Sequence, residues 1–190
     1  MTEPIKKRIR AYWLKINLFF SSKRISFSAN LILGKSCHLS LDTKSKVMKY
    51  GFVTLLDNST FQSGKNLCIC QGCEIILTNN ARLSIRNDVY VGSNVNIRCS
   101  GIISIGNNVK IAQNVSIIDA NYSLCKGIIG ELTPSKVIIE DDVWIAAGSI
   151  ILPGVIIAKG AVIAAGSVVT KSVNANTLWA GNPAKWVKDL

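Results

Sequence analysis

The side chains of this chain that first invite chemistry are its six cysteines and its single histidine. Cys68-Ile69-Cys70-Gln71-Gly72-Cys73 crowds three thiols into one short run, and thiolates are ligands for soft metals. The spacing matches none of the usual ligand patterns, and no histidine or cysteine pair stands near it, so no metal is expected. Reduced thiols on strands, packing as small hydrophobes, are the better reading. Cys37, Cys99 and Cys125 are read the same way. His38 lies in a strand-like segment and is expected to be a structural or surface residue.

Charge narrows the partners. The formal net charge is +11, and much of it lies near the ends, in Lys6, Lys7, Arg8, Arg10, Lys15, Lys23, Arg24, Lys185 and Lys188. An excess of this size suits an anionic partner: nucleic acid, an acidic membrane surface, an acidic polysaccharide or a phosphorylated cofactor. The sequence has neither zinc-finger spacing nor the aromatic-basic signature of RNA binders, so nucleic acid is not expected. No apolar stretch reaches the roughly 18 to 20 residues of a membrane span. The short N-terminal apolar run is broken by Lys15 and Asn17 and has no small-residue cleavage site after it. A single cytoplasmic domain is the expectation.

The elements that must position any site are repeats. From Ile139 the chain falls into blocks of six: IEDDVW, IAAGSI, ILPGVI, IAKGAV, IAAGSV, VTKSVN. Ile139, Ile145, Ile151, Ile157, Ile163 and Val169 open them, and Val143, Ser149, Val155, Ala161, Ser167 and Val173 follow four residues later. A period of six cannot hold one face of a helix with about 3.6 residues per turn. It suits a strand plus a turn, with three blocks closing one triangular coil of a parallel β-helix, large aliphatic residues inward. Ile85, Val91 and Ile97, then Ile105, Ile111 and Ile117, keep the register with two extra residues between the groups. Before residue 67 the period is blurred, although Leu31–Leu41 and Phe52–Leu56 still alternate like strands.

The spacing from Ile117 to Ile139 is 22, four more than one full coil, so residues from about 119 to 136 are expected to protrude as a loop. Residues 1–26 differ from the rest. Ile5, Ile9, Tyr12 or Trp13, Ile16 and Phe19 or Phe20 recur at helical spacing among basic residues. A basic amphipathic helix there would either cap the open end of the β-helix or, through residues 1–24, lie on the inner face of an anionic membrane. The division expected is therefore a helix over 1–26, an all-β parallel β-helix over 27–175 and a C-terminal tail over 176–190.

At this point the sequence resembles the hexapeptide-repeat O-acetyltransferases, the group of galactoside, maltose, xenobiotic and polysaccharide acetyltransferases. The likeness rests on IGNNVKIAQNVSI at 105–117, DDVWIAAGSIILPGV at 141–155, AAGSVVTKSV at 164–173 and AGNPAKWVK at 180–188. It implies a left-handed coil, against the usual crossover rule, and a homotrimer with acetyl-coenzyme A (acetyl-CoA) in a groove between neighbouring subunits. It further implies that Trp144 borders the thioester and that Ala147 and Ala165 offer backbone groups to the pantetheine arm. Gly181, Pro183 and Lys185 would surround the nucleotide end, and Asn94 would meet the acceptor sugar, joined on the loop by Asp119 and Asn121.

One departure matters for chemistry. NVSIIDANYSL at 114–124 aligns with the family's protruding loop, and Tyr122 occupies the position of the histidine that takes the proton from the acceptor hydroxyl. A phenol with an ordinary pKa of about 10 would need a shift of about three units, or about 4 kcal/mol, to ionise at neutral pH. Asp119 is a weak substitute, because an ordinary free carboxyl has a pKa near 4, far below the range a general base prefers. Two readings follow. The first is an acetyl-CoA-dependent O-acetyltransferase acting on a saccharide, an acidic surface polysaccharide or its lipid-linked precursor, with Tyr122 at the catalytic position. The second is a degenerate trimer that binds coenzyme A or sugar without turnover. A zinc carbonic anhydrase on the same fold would need several histidines, and there is one.

Overall fold

A computed structural model of the chain describes residues 26–27, 30–42, 45–47, 50–125 and 127–190. The helix expected over 1–26 falls on residues outside this set except at its last position, where Ser26 and Phe27 are strand. Among the described residues there is no helix, and none therefore that could cross a membrane.

Three sheets of nine, seven and six strands wrap one core as a parallel β-solenoid. The first face runs from Ser26–Phe27 up to Thr177–Ala180, the second from Asn30–Leu33 to Val168–Val169, and the third from His38–Ser40 to Ile156–Ile157. In the upper coils each block of six supplies one face. Ile145 stacks on Ile163, Ile151 on Val169 and Ile139 on Ile157, each pair 18 residues apart. Isoleucine and valine suit these stacks because β-branched chains fill the pleat and bury about 1.5 to 3 kcal/mol each.

The upstream coils are lengthened rather than irregular. Val53 stacks on Ile75 and Ile75 on Ile97, at spacings of 22. Strand Glu74–Leu77 turns both Ile75 and Leu77 inward, and Arg82–Ile85 turns in Leu83 and Ile85, whereas Ile150–Ile151 buries Ile151 alone. Each added pair leaves the in–out alternation intact, so a period of six disappears while a period of two survives.

The spacing from Ile117 to Ile139 reads differently in the fold. These residues lie on adjacent faces of the same coil, and Ile117 pairs with Ile151, 34 positions on. The surplus is far more than four residues. It forms an antiparallel hairpin, Ala120–Cys125 against Ile128–Pro134, with a register shift between Tyr122 and Leu124.

The corners require left-handed backbone. Gly72, Asn94, Asn114, Gly148 and Gly166 all have positive φ and stack along the first edge, between the first and second faces. Asn, Asp and Gly tolerate this conformation best, which explains their recurrence. Along the third edge, between the third and first faces, Asn87, Asn107 and Asp141 form a ladder in which each side-chain oxygen accepts from the backbone N–H one coil below. The Asn107 backbone and side-chain amides hold the Asp141 carboxyl below its usual range.

The C-terminal segment expected as a tail extends the first face. Thr177–Ala180 pairs in parallel with Val162–Ile163, and Lys185–Asp189 returns antiparallel to it.

Candidate active site

Ala147 and Ala165 stand side by side on the first edge, where the Ala147 carbonyl accepts from Gly166 N at 2.9 Å. Two buried serines tighten this corner from inside. Ser149 Oγ donates to the carbonyls of Ala146 and Ala164, at 2.8 and 3.0 Å, and Ser167 Oγ accepts from Gly181 N at 3.2 Å. The repeat marks both serines as the residue four positions into a block, and the structure adds the hydrogen bonds of their hydroxyls. Among the described residues none hydrogen-bonds to either backbone group of Ala165, which lies exposed at the corner. The turn holding Gly181 and Pro183 closes over the same edge, since Val168 N donates to Gly181 O at 3.0 Å and Ala184 N to Val168 O at 2.8 Å. Lys185 follows, exposed and paired with Ala180.

Trp144 adjoins this edge on the first face. It points outward between Lys110 and Val162 and is 52% exposed. Asn94 lies on the same edge nearer the N-terminal end, where its N–H donates to Gln71 O at 3.0 Å. Its position is a left-handed corner, with φ of 57°. Ala147, Ala165, Gly181 and Asn94 thus lie along one edge, with Trp144 and Lys185 in strands of the adjoining first face.

The second edge, between the second and third faces, carries the hairpin. Tyr122 stands on it, 65% exposed, and among the described residues no side chain bonds to its hydroxyl. Asn121 pairs across the hairpin with Thr133 and is also exposed. Tyr122 and Trp144 are not brought together in one chain, because the first face does not border the second edge.

Asp119 does not face an acceptor, and its expected role in contacting one is corrected. Its side chain is wholly buried. Oδ1 accepts from Ser100 N at 2.6 Å and Oδ2 from Gly101 N at 2.8 Å, which leaves the carboxylate no edge toward solvent. It extends an inward column that rises through Leu33, Leu55, Leu77 and Cys99. Cys99 Sγ lies 3.5 Å from Asp119 Oδ2, and burial, with this carboxylate beside it, pushes the thiol up to about 12.

The cysteine run lies on the first face. Cys68 and Cys70 point outward, and Cys70 Sγ donates to Tyr90 Oη at 3.2 Å. Cys73 is buried, and burial pushes its thiol up to about 11. Among the described residues no group of three His, Cys, Asp or Glu side chains could hold a metal.

The bacterial transferase hexapeptide (six repeats) family model matches residues 136–171. A Dictyostelium discoideum protein bearing the name acetyltransferase is 40% identical over 134 residues, covering 66% of this chain and 70% of that one. The galactoside O-acetyltransferase of Escherichia coli K12 is 26% identical, with 100% and 91% covered. In fold, the chain is similar to an N-acyltransferase from Bacillus cereus solved with dTDP and 3-hydroxybutyryl-CoA. That match has a TM-score of 0.59 and 20% identity over 86% of this chain and 82% of that one.

Proposed function

The chain belongs to the hexapeptide-repeat acetyltransferases, and from that premise we propose that it transfers an acetyl group from acetyl-CoA to a saccharide hydroxyl during surface polysaccharide synthesis. The observation that carries the reading is the first edge. Exposed backbone groups at Ala165, the turn at Gly181 and Pro183, the Lys185 ammonium and the exposed Trp144 indole lie along it or on the adjoining first face. Amides of a pantetheine arm need such backbone partners, a phosphate needs the lysine, and a thioester can rest on the indole. The charge of +11 favours an anionic donor and an acidic acceptor.

Completion of the site requires a neighbour. The hairpin leaves the second edge and Trp144 looks out from the first face, so a second copy must bring them together. A closed ring of three repeats the same contact at every groove. The outer side of the second face, with half-buried Ile118, Ile150 and Val168, lies between these edges and offers an apolar surface for that contact. In the transfer, the acceptor oxygen forms a bond to the thioester carbonyl carbon, the C–S bond breaks, and the hydroxyl proton leaves with the thiolate. Tyr122, on the facing hairpin, is the group that would orient that hydroxyl. Residues 1–24 supply a basic segment that could hold the enzyme near a lipid-linked acceptor.

A second reading has its own support. Among the described residues no basic side chain stands against the Tyr122 hydroxyl. A subunit that binds coenzyme A or sugar without turnover would have this arrangement. Mass spectrometry of a saccharide panel incubated with the protein and acetyl-CoA separates the two. An acetylated product is expected. Calorimetric binding of coenzyme A with no product from any saccharide would favour the binding subunit, and no binding of millimolar coenzyme A or of any saccharide in the panel would remove both.

A further inference from the structure

We infer that Asp119 is the positioning residue of the reaction: a buried carboxylate that clamps the neck of the hairpin to the coil below and thereby sets where Tyr122 stands. The inference rests on the transferase reading for its consequence, but not for its geometry. A carboxylate at an inward position is costly unless its lone pairs are satisfied. Here both oxygens accept short bonds from consecutive backbone amides, Ser100 and Gly101, and among the described residues no cation pairs with them. The same residue closes the neck through its main chain. Its N–H donates to Arg98 O at 3.3 Å, and its carbonyl accepts from Ser135 N at 2.6 Å, where the returning strand rejoins the solenoid. One residue thus binds the coil below through its side chain and its N–H, and the returning end of the hairpin through its carbonyl.

The packing around the clamp has the same purpose. Pro134, opposite Ala120, sits so close over Gly101 that a Cβ there would lie 2.8 Å from Pro134 Cβ. Beyond Ala120 the hairpin strands are exposed along their length, so they gain no depth of burial from their own solenoid. Their direction is fixed at the neck. Tyr122 is three residues from Asp119, and a small rotation at the neck is carried outward along two paired strands. A misplacement of about 1 Å at a reacting group costs on the order of 10²-fold in rate.

The test combines hydrogen exchange with kinetics on the full chain. Asp119→Asn keeps the shape but turns one acceptor into a donor facing a backbone N–H. Asp119→Glu keeps the charge and displaces it by one methylene. In both, amides of Ser100, Gly101 and residues 120–134 should exchange at least about tenfold faster, while those of the strands from Val137 to Val169 stay unchanged. The rate of transfer should fall about 10²-fold with the KM for acetyl-CoA unaltered. Unchanged exchange in the hairpin would overturn the clamp. Faster exchange spread evenly over the solenoid would also overturn it, by showing general destabilisation. Loosened hairpin amides with full transfer would overturn the positioning role. If the wild type transfers nothing, the transferase reading fails by itself, and exchange still decides the clamp.

Discussion

The first and second edges of the solenoid flank the same face and are built on opposite principles. The first is short-turned and lined with Ala, Gly and buried Ser, its polar work done by backbone groups. The second carries the long insertion and anchors it with one buried carboxylate. The backbone edge suits a cofactor whose long arm needs a straight row of donors and acceptors. The side-chain edge suits a group that must reach away from its own coil. On the function proposed above, the donor and acceptor machinery is split between two edges that a neighbouring copy would join.

The sharpest way to break this division is to shorten the hairpin. With residues 121–133 replaced by a Gly-Ser link, transfer should fall by about 10³-fold or more, since positioning and proton transfer are both lost. Calorimetric binding of coenzyme A should persist, because the first edge is untouched. Mixing this chain with Trp144→Ala chains should restore part of the activity, each kind supplying the edge the other lacks. No recovery in mixed trimers would place both functions in one protomer and end the comparison.

A base on the hairpin is the next largest effect. Tyr122→His should raise transfer about 10²-fold, with the rate climbing through about pH 6.5 as the imidazole loses its proton. Tyr122→Phe should abolish transfer if the phenol itself takes part. Equal, absent transfer in all three chains would favour the binding subunit.

The cofactor edge should respond more mildly. Lys185→Ala should weaken coenzyme A binding about fivefold at low salt, and the difference should shrink as salt rises, because an exposed charge contact is screened. Equal affinity at every salt concentration would detach the lysine from the phosphates. The smallest effect is conformational. Asn94→Ala puts an alanine at φ of 57° and should cost about 1 kcal/mol in urea unfolding, whereas Asn94→Gly should be close to neutral. A neutral alanine would show that the corner relaxes.

Much of this arrangement was legible in the sequence, for a physical reason. In the upper coils one block makes one face, so Ile139, Ile145 and Ile151 announce both the strand and its direction. Lower down the signal blurred because strands such as Phe52–Leu55 carry a second inward residue, Leu55 beside Val53, which hides a period of six without disturbing the fold. Asp119 is the more instructive case. Counting by twos from the inward Ile117 puts it inside, whereas the Ile117–Ile139 spacing puts the start of a protruding loop at the same residue. The separation of Tyr122 from Trp144 could not be read at all, since it depends on which corner of the prism the insertion leaves.

The two-residue step that widens the lower coils also sets a rule for how this chain can change length. Coils of 22, 20 and 18 residues coexist on one axis because every difference between them is even. Loss or gain of a single residue within a strand such as Glu74–Leu77 would turn Leu77 to water and a polar neighbour to the core. A pair inserted at the same place would only enlarge the ring. Length variants of the lower coils should therefore be recoverable in steps of two, and single-residue deletions should survive only where a corner or the hairpin can absorb the odd count.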